Sequence, residues 1–335
     1  MKKKLFNAIK YILLLSLGVF IFWLVIRKLS WEEFISEIYA LKWIWIILSI
    51  FLGIFSHISR AIRWNMLIKP LGHNPTVTNS FLAIMIMYMT NLVIPRGGEV
   101  VRCSVLTRYE KVPFTKLLGT VVIERASDVL ALVFFAVLIV LSQLKVFSQF
   151  FIKNPGSKER LQDLLSTRNL IIAILTIIFG IVLLYIFRKA FKKTKVYKKA
   201  ADIWNNFAEG LKTIARLKNK WSYIGHTLFI YIMWLLALYV VFLSYEPTRH
   251  LSIFAGALVF VMGALGMIAP VQAGIGAYHF MVASTLVLYG ISQNQSVTFA
   301  IIVHSASNLS LFVLGFISLA VLPLINSREN NVNPS

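Results

Sequence analysis

The sequence predicts an all-α polytopic membrane protein, with about six full transmembrane helices, two re-entrant helical hairpins of opposite orientation, and both termini in the cytoplasm. Three observations predict it. Hydrophobic residues make up 58% of the chain and charged residues 14%, at a mean hydropathy of +0.77, whereas soluble domains are about 25% charged. Uncharged runs are long, ending in 77 residues from Leu251 to Ser327 without Asp, Glu, Lys or Arg. Two apolar segments are interrupted by proline and glycine, one at Pro95 to Gly98 and one at Pro270 to Gly276.

The N-terminal lysines precede an uncharged run from Tyr11 to Ile26 with no small-residue cleavage site after it, which reads as an uncleaved first span. Trp31 to Ala40 has the pattern of a short interfacial amphipathic helix. A second span covers Trp43 to Ser59 and continues into Arg60, Arg63 and Trp64; Gly72 to Pro75 make a turn; Val77 to Ile94 is a third apolar segment, halted by Pro95. Leu117 to Leu144 and Asn169 to Phe187 follow. Between Arg188 and Lys220, eleven Lys and Arg residues stand against only Asp202 and Glu209. That composition suits a cytoplasmic amphipathic linker on anionic headgroups, with Trp204 and Phe207 towards lipid, joining the halves of one transmembrane domain over residues 1–327. Trp221 to Tyr245 is the next span, and after the charge-free block Arg328 to Ser335 is expected to be a disordered tail.

Charge placement orients the chain. Lys2, Lys3, Lys4 and Lys10 put the N-terminus in the cytoplasm, and the basic linker belongs there too. An even number of crossings must separate them, yet five apolar segments precede the linker. The segment that does not cross is Val77 to Leu106, which Pro95 and Gly97-Gly98 break and whose far end carries Arg108, Lys111 and Lys116. The same logic places Glu246 to His250 outside. It makes the segment broken at Pro270 to Gly276 a second hairpin, returning near Ser292 to Gln295, and lets Ser296 to Leu322 bring the C-terminus inside. Paired, oppositely directed broken segments point to a transport site; the alternative is two ordinary crossings whose neighbours satisfy the freed backbone groups.

The formal charge of +21 sits beside apolar spans, so the positive-inside rule accounts for it and nucleic acid is not an expected partner. Cys103 is the only cysteine, which excludes an intramolecular disulfide and a Cys-based metal site. There is no Gly-x-x-x-x-Gly-Lys loop, so this chain alone does not pump with ATP, and neither His-Glu-x-x-His nor Gly-x-Ser-x-Gly occurs. No cofactor, metal or catalytic residue is assigned.

Arg96, Glu99, Arg102, Glu124, Arg125 and Asp128 fall within or beside lipid-soluble segments, where an unpaired charge costs roughly 2.5–3.5 kcal/mol. They are therefore expected to face one another or a wet cavity, and such a cluster is a candidate functional site. Arg125 and Asp128, at i,i+3, can pair; so can Glu99 and Arg102; Glu124 then needs Arg96 or Arg102. Three arginines against three carboxylates form a neutral core, to which Arg60 and Arg63 add a surplus of guanidinium suited to phosphate. Alternatively, Arg60 and Arg63 are anchors reaching for headgroups beside Trp64. Asn91 and Gln272 are candidates for satisfying backbone at the two breaks. His279 and His304 are the titratable candidates of the charge-free block, with a buried structural role as the alternative, and His57 and His226 are assigned no role.

The set Arg60-x-x-Arg63-Trp64, Asn91-x-x-x-Pro95-Arg96-x-Gly98-Glu99-x-x-Arg102, Glu124-Arg125-x-x-Asp128 and Pro270-x-x-x-Gly274-x-Gly276 resembles the lysylphosphatidylglycerol synthase transmembrane region family, also called flippase-like, and the membrane half of the multiple peptide resistance factor. The resemblance runs from about Lys10 to Leu324. It implies a multi-pass protein of a bacterial or archaeal cytoplasmic (inner) membrane, with two re-entrant hairpins and a role in moving lipids between leaflets. Bifunctional relatives continue into a soluble acyltransferase domain that uses aminoacyl-tRNA; this chain stops at Ser335, so the synthase activity is not expected to carry over.

The expected function is a lipid flippase or transporter whose site binds the headgroup of an anionic or amphoteric phospholipid or of a polyprenyl phosphate. Arg96, Arg102 and Arg125 would contact the headgroup while Glu99, Glu124 and Asp128 hold them. The competing expectation is a membrane-embedded enzyme or accessory subunit acting on a lipid or lipid-linked sugar, with Glu99 or Glu124 as general base. Besides membrane lipids, a second copy of the chain or a lipid-modifying enzyme are the partners such a protein would have.

Overall fold

The computed structural model describes residues 16–27, 29–94, 97–144, 146, 210, 212–269 and 271–332. The expected fifth span, Asn169 to Phe187, most of the basic linker and the start of the first span lie outside the described residues. All regular structure among the described residues is helical: α1 Ser16–Ile26, α2 Trp31–Tyr39, α3 Trp43–Ile68, α4 Val77–Val93, α5 Gly98–Glu110, α6 Phe114–Ser142, α7 Lys220–Ser244, α8 Ile253–Ile268, α9 Ala277–Leu288 and α10 Gln293–Val332, with short 3-10 turns between some of them. Among the described residues, four helices are long and apolar enough to cross a membrane, and they are α3, α6, α7 and α10. The last helix runs on into the stretch read from sequence as a polar tail.

Local chemistry sets the ends. Ser30 caps α2 by accepting from the Glu33 N–H at 3.4 Å, and Glu32 and Glu33 fill its first turn, where carboxylates complement the helix dipole. No residue of α2 is buried and its rims carry Trp31 and Tyr39, the composition of a helix lying in an interface. Thr76 caps α4 through the Asn79 N–H at 3.2 Å.

Helices α3 and α7 run antiparallel. The Lys42 N–H donates to the Ser244 carbonyl at one end, Ser59 Oγ meets His226 Nδ1 at 2.8 Å in the middle, and Leu67 packs with Tyr223 at the other end. Helix α10 lies along α4 so closely that a side chain at Gly315 would strike Met89 and the Met85 carbonyl, the close approach that small residues permit between membrane helices.

Short helices flank both breaks expected from the sequence. Helices α4 and α5, of 17 and 13 residues, and α8 and α9, of 16 and 12, are about 18–26 Å long at 1.5 Å per residue, short of an apolar core of about 30 Å. Each pair folds into an antiparallel hairpin. In the first, Gly98 presses against the Met87 carbonyl at the closed end, while at the open end Glu110 Oε1 accepts from the Thr76 N–H and hydroxyl at 2.9 and 2.8 Å and from Asn79 at 2.7 Å. In the second, Gly266 lies against Ala277 and Tyr278 near the tip and Leu286 packs with Ala255 near the base.

Helix α6 fixes the relative sense of the two hairpins. Its N-terminus follows the open end of the first, whereas Gln143 just past its C-terminus accepts from the Tyr289 hydroxyl at 3.0 Å, at the open end of the second. At 29 residues, α6 is about 44 Å long. The hairpin bases thus lie at its opposite ends, and the tips meet between them, where Gln272 Nε2 donates to the Leu92 carbonyl at 2.5 Å. Helix α1 passes beside the second tip, with Gly18 against Val271 and the Ile275 carbonyl and Gly276 against the Gly18 carbonyl.

Candidate functional site

Helices α3, α5 and α6 bring seven charged side chains into one lattice. Glu124, fully buried, stands at its centre: Oε1 faces Arg60 Nη2 at 2.6 Å and Arg63 Nη2 at 3.5 Å, and Oε2 faces Arg102 Nη2 at 2.8 Å. One turn along α6, Asp128 faces Arg63 at 2.6 Å, Arg60 at 3.2 Å and Arg125 at 3.5 Å. Glu99, in the first turn of α5, joins Arg102 at 2.8 Å to Arg125 at 2.9 Å. Among the described residues the lattice holds four guanidiniums and three carboxylates.

Aromatic and hydroxyl groups support it from behind. Arg102 stacks on Trp64 at 4.5 Å, whose indole N–H donates to Thr120 at 2.9 Å. Arg63 donates to Thr227 at 3.1 Å and lies over Tyr223; Arg60 donates to the Tyr88 hydroxyl. Charges removed from water this thoroughly persist because every one is paired. Arg60 and Arg63 are 2% and 1% exposed, so they belong to this buried lattice and do not reach for headgroups.

A cavity of about 480 Å³ opens beside the lattice. Its polar end is formed by His57, Arg60, Tyr88, Arg125 and Asp128, with Tyr231 and Trp234 of α7 next to them. The rest of its wall is mainly apolar and comes from α3, α6, α7, α8, α9 and α10, for example Ile54, Leu132, Phe260, Met267 and Val303, with Ser49, Ser307 and Ser310 among them. Arg125, which lines this space, is the most exposed of the lattice arginines, at 43% of its side chain; Asp128 is 16% exposed.

The other residues chosen from sequence divide by position. Pro95, Arg96 and Pro270 lie outside the described residues. Asn91 Oδ1 accepts from the Gly98 N–H at 2.9 Å across the first break. Gln272 satisfies backbone in the opposite hairpin. Gly274 and Gly276 have φ of +71° and +81°, values that favour glycine, while Ala273 holds +48° with its carbonyl bonded to His304 Nε2 at 2.8 Å. His279 Nδ1 accepts from the Gly276 N–H at 3.4 Å and its ring packs on His304. Both histidines thus hold the second tip, away from the charged lattice. Arg102 and Glu124 lie behind the cavity wall. His57, assigned no role from sequence, lines the cavity, as do Tyr88, Tyr231 and Trp234, which the sequence does not single out; the available signal is helical spacing, His57 at i,i+3 to Arg60 and Tyr231 at i,i+3 to Trp234.

The UPF0104 membrane protein MJ1595 of Methanocaldococcus jannaschii is 30% identical over 99 residues, 29% of this chain and 30% of its own length. The chain therefore aligns with less than a third of that relative. No solved structure matches the chain. The profile of the lysylphosphatidylglycerol synthase transmembrane region matches residues 9–315. With that profile covering nearly all of the helices that build the lattice and its cavity, the chain belongs to the lysylphosphatidylglycerol synthase transmembrane region family.

Proposed function

We propose that this protein is a flippase or transporter of the cytoplasmic membrane for a lipid with an anionic or amphoteric headgroup. The observation that carries the reading is the two-sided cavity: a charged end where Arg125 is open, continuous with apolar walls. A lipid has the same two-part chemistry, and pockets of roughly 300–1,000 Å³ commonly hold small-molecule ligands or parts of larger ones.

In this reading the hairpins are re-entrant. The first dips in from the cytoplasm, the second from outside, and their tips meet near the midplane, which the inverted arrangement about α6 supports. Both termini are cytoplasmic. The headgroup docks on Arg125 and competes there with Glu99 of the first hairpin, now 2.9 Å away. Binding thus loosens the tie between that hairpin and α6, and the hairpins move to expose the cavity to the other leaflet. Against the enzyme alternative in which Glu99 or Glu124 is the general base, both oxygens of each carboxylate already face guanidiniums.

The test is translocation of a fluorescent anionic phospholipid in liposomes. Wild type is expected to accelerate it, and Arg125→Gln to slow it at least about tenfold, the loss of one charge-assisted contact. Rates no faster than protein-free liposomes, or a chemically altered lipid in the mass spectrum, would overturn the reading.

A further inference from the structure

Resting on the transport reading of the cavity, we propose that His304 is the proton-binding residue of a proton-coupled step, taking up one proton with each anionic headgroup and giving it up on the other side. Its surroundings carry no other charge. The rings of Tyr278 and His279 pack on it at 5.0 and 4.6 Å, and Phe22 of α1 stands behind His279 at 4.8 Å. No Asp, Glu, Lys or Arg occurs in α1, α4, α8, α9 or α10 as far as Ser327. Charge comes from α3 and α6, which bring Arg60, Arg125 and Asp128, with the neutral His57, to the cavity that Tyr278 also lines.

Hydrogen bonds fix where the histidine proton lies. The Ala273 carbonyl, 2.8 Å from His304 Nε2, can only accept, so Nε2 carries the hydrogen and Nδ1 is the basic nitrogen. Asn308, one turn along α10, sets its amide nitrogen 3.1 Å from each ring nitrogen, and with Nε2 committed it serves Nδ1. A side-chain amide holds both a donor and an acceptor. Turned end for end, it presents Oδ1 to a protonated Nδ1 and leaves the bond to Ala273 intact. His279 has no such partner. Its Nδ1 accepts from the Gly276 main-chain N–H at 3.4 Å, a group that can only donate, and a second positive ring 4.6 Å from the first is opposed by repulsion.

The coupling follows from charge. Imidazole is the side chain that ordinarily changes charge between about pH 5 and 8, yet an imidazolium at this tip meets no fixed carboxylate, and a buried unpaired charge is costly. Val303 and Ser307, on either side of His304 in α10, line the cavity. An anionic headgroup seated there supplies the missing counter-charge across a low-dielectric space. Proton and anion therefore bind best together.

His304→Gln tests this, because it keeps a donor for the Ala273 carbonyl and removes the basic nitrogen. Short-chain phosphatidylglycerol, whose own charge is constant near neutrality, is titrated onto the purified full chain at several pH values. Wild-type affinity is expected to fall with rising pH, by up to about tenfold per unit for one linked proton, and that of His304→Gln to stay level. In proteoliposomes an imposed pH gradient is expected to gather labelled lipid in the leaflet on the alkaline side with wild type and not with His304→Gln. Asn308→Leu lacks the oxygen that meets the added proton; it is expected to flatten the pH dependence too, and it decides the matter should His304→Gln fail to fold or to bind. Wild-type affinity level with pH, or a pH dependence retained in the variants, overturns the proton site while the transport reading stands. Wild type that neither binds nor translocates the lipid at any pH overturns that reading and the proton site with it.

Discussion

Gln272 and Leu92 join the two hairpin tips: the Gln272 side-chain amide donates to the Leu92 carbonyl at 2.5 Å. Leu92 is in the last turn of α4, where carbonyls have no intrahelical partner, so a side chain 180 positions along supplies what the broken helix lacks. Gln272→Ala is expected to cost about 0.5–1.5 kcal/mol and to speed amide exchange at both tips. Hydrogen–deuterium exchange over residues 91–94 and 271–276 reads this directly. Unchanged exchange at the first tip would show that the contact does not couple the hairpins.

Glu124 is the residue whose removal should be felt most. Glu124→Ala leaves Arg60, Arg63 and Arg102 to share fewer carboxylates in a space sealed from water, and breaking a buried pair on one side typically costs about 3–5 kcal/mol. The expected outcome is a large fall in the unfolding temperature in detergent. A fall no greater than that of an exposed substitution such as Glu32→Ala would mean that the lattice does not hold the helices together.

Two glycines make a matched pair. A methyl group at Gly98 would meet the Met87 carbonyl and Asn91 Oδ1, whereas one at Gly119 meets nothing within 4 Å. Gly98→Ala is expected to destabilise by about 1–3 kcal/mol, as overpacking does. Gly119→Ala is expected to stabilise by about 0.5–1 kcal/mol through the helix preference of alanine. Thermal melts of the two variants check the pair, and equal shifts would contradict the tight turn.

Sidedness can be read with a thiol reagent that does not cross membranes, because Cys103 is buried and should stay silent. In intact cells, Gln293→Cys and Arg249→Cys are expected to label and Arg108→Cys is not; in inverted vesicles the pattern reverses. Labelling of all three from one side would rule out hairpins of opposite sense.

The parts of the site legible in the sequence are those that spacing controls. Glu99 with Arg102, and Arg125 with Asp128, are one turn apart, and helical geometry alone pairs them. The hairpin breaks are legible because proline and paired glycines stop a helix. The reach of Arg60 and Arg63 to Glu124 and Asp128 crosses more than sixty positions and depends on how α3 packs against α6, which no local pattern encodes. Residues such as His57, Tyr88 and Trp234 stand in apolar runs where lipid-facing and cavity-facing aromatics look alike. Arg102, expected from sequence at the headgroup, is enclosed between Glu99 and Glu124, because burial depends on which face of α5 turns inward.

The contact of Gly18 with Gly276 also bears on how the protein is made. The earliest described helix to leave the ribosome must wait beside the bilayer until some 250 further residues have been synthesised before its neighbour exists. Docking of α1 is then among the closing steps of biogenesis, and a bulky side chain at either glycine would leave a late precursor unfinished and exposed to quality-control proteases.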